Sequence, residues 1–106
     1  PLRYVVRRFL PKPGEGPNKE TRENGWFKGL FEVEAEDGEI KYYQIYGEGD
    51  PGYKATAQMV CESAITLAIS EELNFGGVLT SAYGLGNPLL DRLINSGIKF
   101  EEVIYN

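Results

Sequence analysis

The stretch GDPGYKATAQMVCESAITLAI, residues 49–69, opens like a phosphate-gripping turn and continues like a core helix. Asp50-Pro51 is the usual grammar of a helix start, an Asx cap followed by proline at the first helical position. Ala57, Val60, Cys61, Ala64, Ile65 and Ala68 then recur at helical spacing, and Leu67 and Ile69 widen the stripe. Glu62 and Glu71 mark a wet side, so the pattern predicts a long, nearly buried helix ending near Leu73, its 57–68 stripe laid against a sheet. Backbone N–H groups at a helix start also attract anions. Here Asp50 supplies its own negative charge and Pro51 removes a donor, so capping is the better reading of the turn and a phosphate cradle the lesser one.

Upstream, the period changes to two at Trp26. Phe27, Gly29, Phe31, Val33 and Ala35 share one face, and Lys28, Glu32, Glu34 and Glu36 fall mostly on the other, as in a half-buried strand. Asp37-Gly38 is a hairpin-turn signal. The return strand, Glu39 to Gly47, carries Ile40, Tyr42, Tyr43, Ile45 and Tyr46 on both faces, which suits a central strand. Before the hairpin, Asn18 can cap a short helical turn through Glu23 that Gly25 stops. PLRYVVRRFL, residues 1–10, reads as a short helix with Arg3, Arg7 and Arg8 on one side, ended by Pro11 and Pro13.

Downstream, Val78 to Ser81 reads as a short strand, followed by a glycine-containing loop. Asn87-Pro88 opens a compact helix with Leu89, Leu90, Leu93 and Ile94 inward and Gly97 at its end. IKFEEVIY supplies the last strand, with Ile98, Phe100 and Val103 inward. The expected fold is α/β (α+β): a mixed β-sheet from the hairpin plus a C-terminal β-α-β unit, packed on the long apolar helix, in one domain over residues 1–106.

Composition narrows the function. The 106 residues are 42% hydrophobic and 25% charged, ordinary for a globular domain, with a net charge of −5 and no histidine. An acidic surface repels phosphate backbones, so no nucleic-acid partner is expected. Without histidine, and with Cys61 alone, neither a zinc site nor an internal disulfide can form. No metal site and no catalytic residue are expected, and the single cysteine points to an intracellular, reducing setting. Arg3, Arg7 and Arg8 beside apolar residues could rest on an anionic membrane, weakly.

Other motifs favour structural readings. Gly84-x-Gly86 resembles the start of the dinucleotide fingerprint, but the third glycine position holds Leu89, so no cofactor-binding residue is assigned. Tyr53 and Lys54 are neighbours and point apart on a helix, and Tyr42, Tyr43 and Tyr46 suit sheet packing or an interface. Glu32, Glu34, Glu36, Asp37 and Glu39 read as a solvated face.

PKPGEGPNKETRENGWFKGLF, GEGDPGYKATAQMVCESAITLAI and GGVLTSAYGLGNPLLDRLINSGIKFE, in that order, resemble the C-terminal part of saccharopine dehydrogenase-like oxidoreductases and the related trans-acting enoyl reductases. The likeness runs from about Pro11 to Val103. It implies a C-terminal fragment of a larger oxidoreductase whose N-terminal Rossmann domain, holding NAD(P), is a missing partner. It further implies lipid metabolism or enoyl substrates, and membrane or lipid-droplet proximity of the full-length protein. In that setting the chain is a substrate-facing or interface domain; the alternative is a non-catalytic interaction module with a homodimer interface. The substrate-facing candidates are Tyr42, Tyr46, Asp50, Tyr53, Ser81, Tyr83 and Asn87, polar groups at element ends, where sites in open sheets lie.

Overall fold

The computed structural model describes residues 14–71, 73 and 76–104. The expected basic helix over residues 1–10, and the membrane reading built on it, lie outside the described residues. The elements run α1 (Lys19–Asn24), β1 (Trp26–Glu34), β2 (Ile40–Glu48), α2 (Lys54–Ile69), α3 (Ser81–Asn95) and β3 (Lys99–Val103).

The hairpin forms where the period of two placed it, with β2 central in a three-stranded sheet of order β1-β2-β3. Both pairings are antiparallel. The sheet is therefore not mixed. Val78 to Ser81 forms no strand: Val78 lies in a bend, Thr80 is the N-cap of α3 and Ser81 opens the helix, so among the described residues no β-α-β unit forms. A four-residue apolar run is ambiguous on its own, and β3 takes the free edge of β2 instead. The Asp37-Gly38 signal gives a turn one residue longer than a two-residue loop. Gly38 N–H bonds Ala35 O, Ala35 N–H bonds Glu39 O, and Gly38 sits at φ 84°. This is a type I turn closed by a glycine bulge.

α1 is capped as expected: Asn18 Oδ1 accepts from Thr21 N–H at 2.8 Å. At the head of α2 the expected cap does not form: Asp50 Oδ2 accepts from Tyr53 N–H at 2.8 Å within the preceding turn, while the helix cap is Tyr53, which makes no side-chain capping bond. Nor is Pro51 the first helical residue. Residues 51–53 form a turn, and α2 begins at Lys54 and ends at Ile69, short of Leu73. α3 absorbs the expected glycine loop. Thr80 Oγ1 accepts from Tyr83 N–H at 3.4 Å, and the helix runs on past Gly84 to a kink at Gly86, whose φ 46° and ψ −140° break the helical path. Asn87-Pro88 thus restarts a helix rather than starting one. At the far end Ile98 N–H bonds Leu93 O and Gly97 N–H bonds Ile94 O, a Schellman closure that seats Ile98 beside Leu93.

That closure builds the core. Leu85, Leu89, Leu93 and Ile98 are buried together, with Ile45, Met59 and Leu73 packed against them. The expected orientation of α2 is overturned. Its inner face carries Ala55, Met59, Glu62 and Thr66, and it lies on α3. The stripe expected inside is outside: Ala57, Val60, Cys61, Ala64, Leu67 and Ala68 are all exposed. Specific bonds set this choice. Glu62 Oε2 accepts from Arg92 Nε and Nη2, each at 2.8 Å, and Gln58 Nε2 donates to Ser96 O at 2.6 Å. The hydroxyls of Thr66 and Ser63 donate to carbonyls one turn back, Glu62 O at 2.7 Å and Met59 O at 2.8 Å. They can therefore face a neighbouring helix without stranding a donor.

Candidate functional site

Residues paired directly across strands share a face of the sheet. Phe31 pairs Tyr43, Gly29 pairs Ile45, and Ile45 pairs Phe100. This face is mostly apolar, with Lys41 opposite Val33 and Glu102 opposite Tyr43, and runs from the hairpin, where Phe31 and Val33 are about half exposed, to the root of α3. There a groove of about 420 Å³ opens between the sheet and α3. Ile45 and Phe100 form its sheet wall, Leu89, Leu90 and Leu93 its helical wall, and Met59 one end; Ser81 and Asn87 add a hydroxyl and an amide. No charged side chain lines it. Its size and lining are those of a small-molecule site: apolar walls with few polar groups to set orientation.

The kink at Gly86 shapes this groove. A residue with a side chain at φ 46° and ψ −140° would be strained, and without the break the first turn of α3 would not bring Ser81 and Asn87 to one cavity. The groove offers apolar walls, one hydroxyl and one amide, and no acid or base.

Of the seven expected substrate-facing residues, only Ser81 and Asn87 line the groove. Tyr42 and Tyr46 alternate with Ile45 along β2 and occupy the opposite face. Tyr46 stacks on Trp26 with ring centroids 6.4 Å apart, and Lys99 Nζ lies 5.8 Å from its centroid. Asp50 is engaged in its turn: its backbone N–H donates to Arg22 O at 3.0 Å and its carboxylate accepts from Tyr53 N–H. The Tyr53 ring lies beside Gly16, away from the groove. Tyr83 projects from the first turn of α3 and is 71% exposed.

Sequence reasoning missed Ile45, Met59 and Phe100 as groove residues. Each was legible as apolar, but their meeting depends on β3 pairing with β2, which no local pattern announces. A second apolar cavity of about 370 Å³ lies at the other side of α3, among Leu67, Leu73, Leu79 and Leu85. The polar hollow by Glu48, Lys54 and Gln58 is smaller, about 220 Å³. Nearby, Lys54 Nζ meets Glu23 Oε2 at 2.8 Å, and this hydrogen bond and charge hold the Glu23 carboxyl below its usual range. Among the described residues no group of acids and cysteine could hold a metal ion, and no helix is long and apolar enough to cross a membrane. The acids of the hairpin, Glu32 through Glu39, are all exposed, as the sequence predicts.

Comparison with known proteins gives one consistent likeness. A Mycobacterium tuberculosis protein named, provisionally, a trans-acting enoyl reductase is 35% identical over 101 residues, which is 93% of this chain and 24% of that protein. A trans-acting enoyl reductase of Mycobacterium bovis is 33% identical over 98 residues, 91% of this chain and 23% of the relative. The Mycobacterium leprae protein of the same name matches to the same extent. The chain thus spans about a quarter of the length of the curated relatives it matches. It matches no family model and no solved structure.

Proposed function

We propose that this chain is the substrate-facing and interface portion of an oxidoreductase that reduces enoyl groups. One observation carries the reading: similarity to proteins named trans-acting enoyl reductases extends over 93% of the chain. The apolar groove below α3 supports it, since an acyl substituent next to a carbon–carbon double bond needs uncharged walls. In such a reduction a hydride and a proton add across the double bond. A reduced nicotinamide, NAD(P)H, is the hydride donor in this reading, bound by a Rossmann portion outside this chain, in keeping with saccharopine dehydrogenase-like architecture. The part played by this chain is to position and to exclude water. Ser81 and Asn87 orient a polar group of the substrate, while Ile45, Leu89, Leu90 and Phe100 pack its hydrocarbon.

The test uses the intact protein that carries this chain, an enoyl thioester and NADPH. Loss of reduced-nicotinamide absorbance that depends on the thioester is the expected result, with Leu90→Asp raising KM through the groove. No oxidation of NADPH by any enoyl thioester would remove the reading. Calorimetry on the 106-residue chain is expected to give no heat with NADPH; micromolar affinity there would reassign the cofactor to this chain.

A further inference from the structure

Past its first residue, Lys54, which pairs with Glu23, the outward face of α2 is apolar. Val60 is 62% exposed, with Ala57, Cys61, Ala64 and Ala68 beside it; Leu67, 66% exposed, stands at the border of this face, where it also lines the cavity toward Leu73 and Leu85. Between Ala55 and Ser70 the only charged side chain is Glu62, and it faces α3 to bind Arg92. A helix that is apolar on its outer side and packed on its inner side belongs in an interior. A charged surface laid on this face would bury charges with nothing to pair them, so the occupant must itself be apolar and uncharged.

Size selects among occupants. Sixteen residues of helix are about 24 Å long and about 10 Å wide, a face on the order of 240 Å². A stable complex of two separate chains buries about 800 Å² per partner, several times more. A tethered segment needs no such area, because linkage raises its effective concentration to the order of millimolar. The relatives supply the tether: the matched stretch is 24% of their length, so three-quarters of such a polypeptide lies elsewhere in the same chain.

We propose that the outward face of α2 is the seat of further polypeptide of the same protein, packed in cis through an apolar, uncharged surface. This rests on the reading of the chain as one portion of a longer enoyl reductase. Cys61 stands on the face and is exposed here, so it reports directly.

The experiment is maleimide labelling of the intact natural protein, mapped to the Cys61 peptide by mass spectrometry. In the native protein Cys61 is expected to react at least about tenfold more slowly than in urea. The double variant V60E/L67E is expected to restore fast labelling. Native labelling at the rate of a free thiol overturns the proposal, as does a natural protein no longer than this chain. Protection that vanishes on dilution assigns the face to a second copy and overturns it equally. Enoyl reduction is measured in parallel: an active protein with freely reactive Cys61 sinks the docking face alone, and a protected Cys61 in a protein that reduces no enoyl group sinks the function alone.

Discussion

Helices α2 and α3 are almost equal in length, lie against each other, and use their apolar residues in opposite ways. α3 points Leu85, Leu89 and Leu93 into the core, one per turn. α2 turns Ala55, Met59, Glu62 and Thr66 toward α3 and leaves Val60, Ala64 and Leu67 outside. For α3 hydrophobic periodicity predicts Leu89 and Leu93 correctly, while Leu90 and Ile94, also expected inward, are exposed and Leu85 joins the core from the stretch read as a loop. For α2 it is misleading, because the helix is apolar nearly all round and polar bonds choose its inner face.

That contrast predicts unequal costs for similar truncations. Leu89→Ala is expected to lose about 2–5 kcal/mol of stability by urea unfolding, while Leu67→Ala changes it by less than about 0.5 kcal/mol. Equal losses would mean that both helices bury their leucines. Next in size is the kink that lets α3 serve core and groove together. Gly86→Ala is expected to cost about 1–3 kcal/mol, since its backbone angles suit glycine alone. A neutral result would show the kink to be relaxed by any residue.

How much of this was legible follows from the same two helices. The cap at Asn18, the hairpin, the central place of β2 and the burial of Leu89 and Leu93 are all local patterns, and all hold. Lost were the features set by partners far along the chain. Glu62 reads as a solvent mark until Arg92, thirty residues on, is seen beside it. Gln58 carries no local signal at all, yet Ser96 O, 38 residues on, closes on it. Val78 to Ser81 looks strand-like, yet β3 holds the edge of β2 that it would need. In the candidate site, Ser81 and Asn87 were chosen as polar groups of a loop and do share the groove. Tyr42 and Tyr46 were chosen from the same strand as Ile45, and alternation carries them to the other face.

The Glu62–Arg92 pair gives a smaller effect that still bears on orientation. It is partly exposed, so a double-mutant cycle with Glu62→Gln and Arg92→Met is expected to show coupling of about 1 kcal/mol. No coupling would leave the inner face of α2 without its proposed determinant. The smallest expected signal is at the head of α2. Lys54 holds the Glu23 carboxyl below the ordinary 4.5. A depressed acid contributes stability above its unfolded value and loses it as pH falls through the folded one, so the contact weakens only below about pH 4.5. Lys54→Met is expected to bring the Glu23 titration, followed by NMR, back up toward 4.5; an unmoved titration would show that Lys54 is not its cause.

Thiol accessibility on the 106-residue chain tests the orientation of α2 most directly. Cys61 is expected to label at the rate of a solvent-exposed thiol, and a cysteine introduced by Thr66→Cys in a Cys61→Ser background to label only on unfolding, because position 66 is 1% exposed. A shielded Cys61 with a reactive position 66 would contradict the fold at its centre.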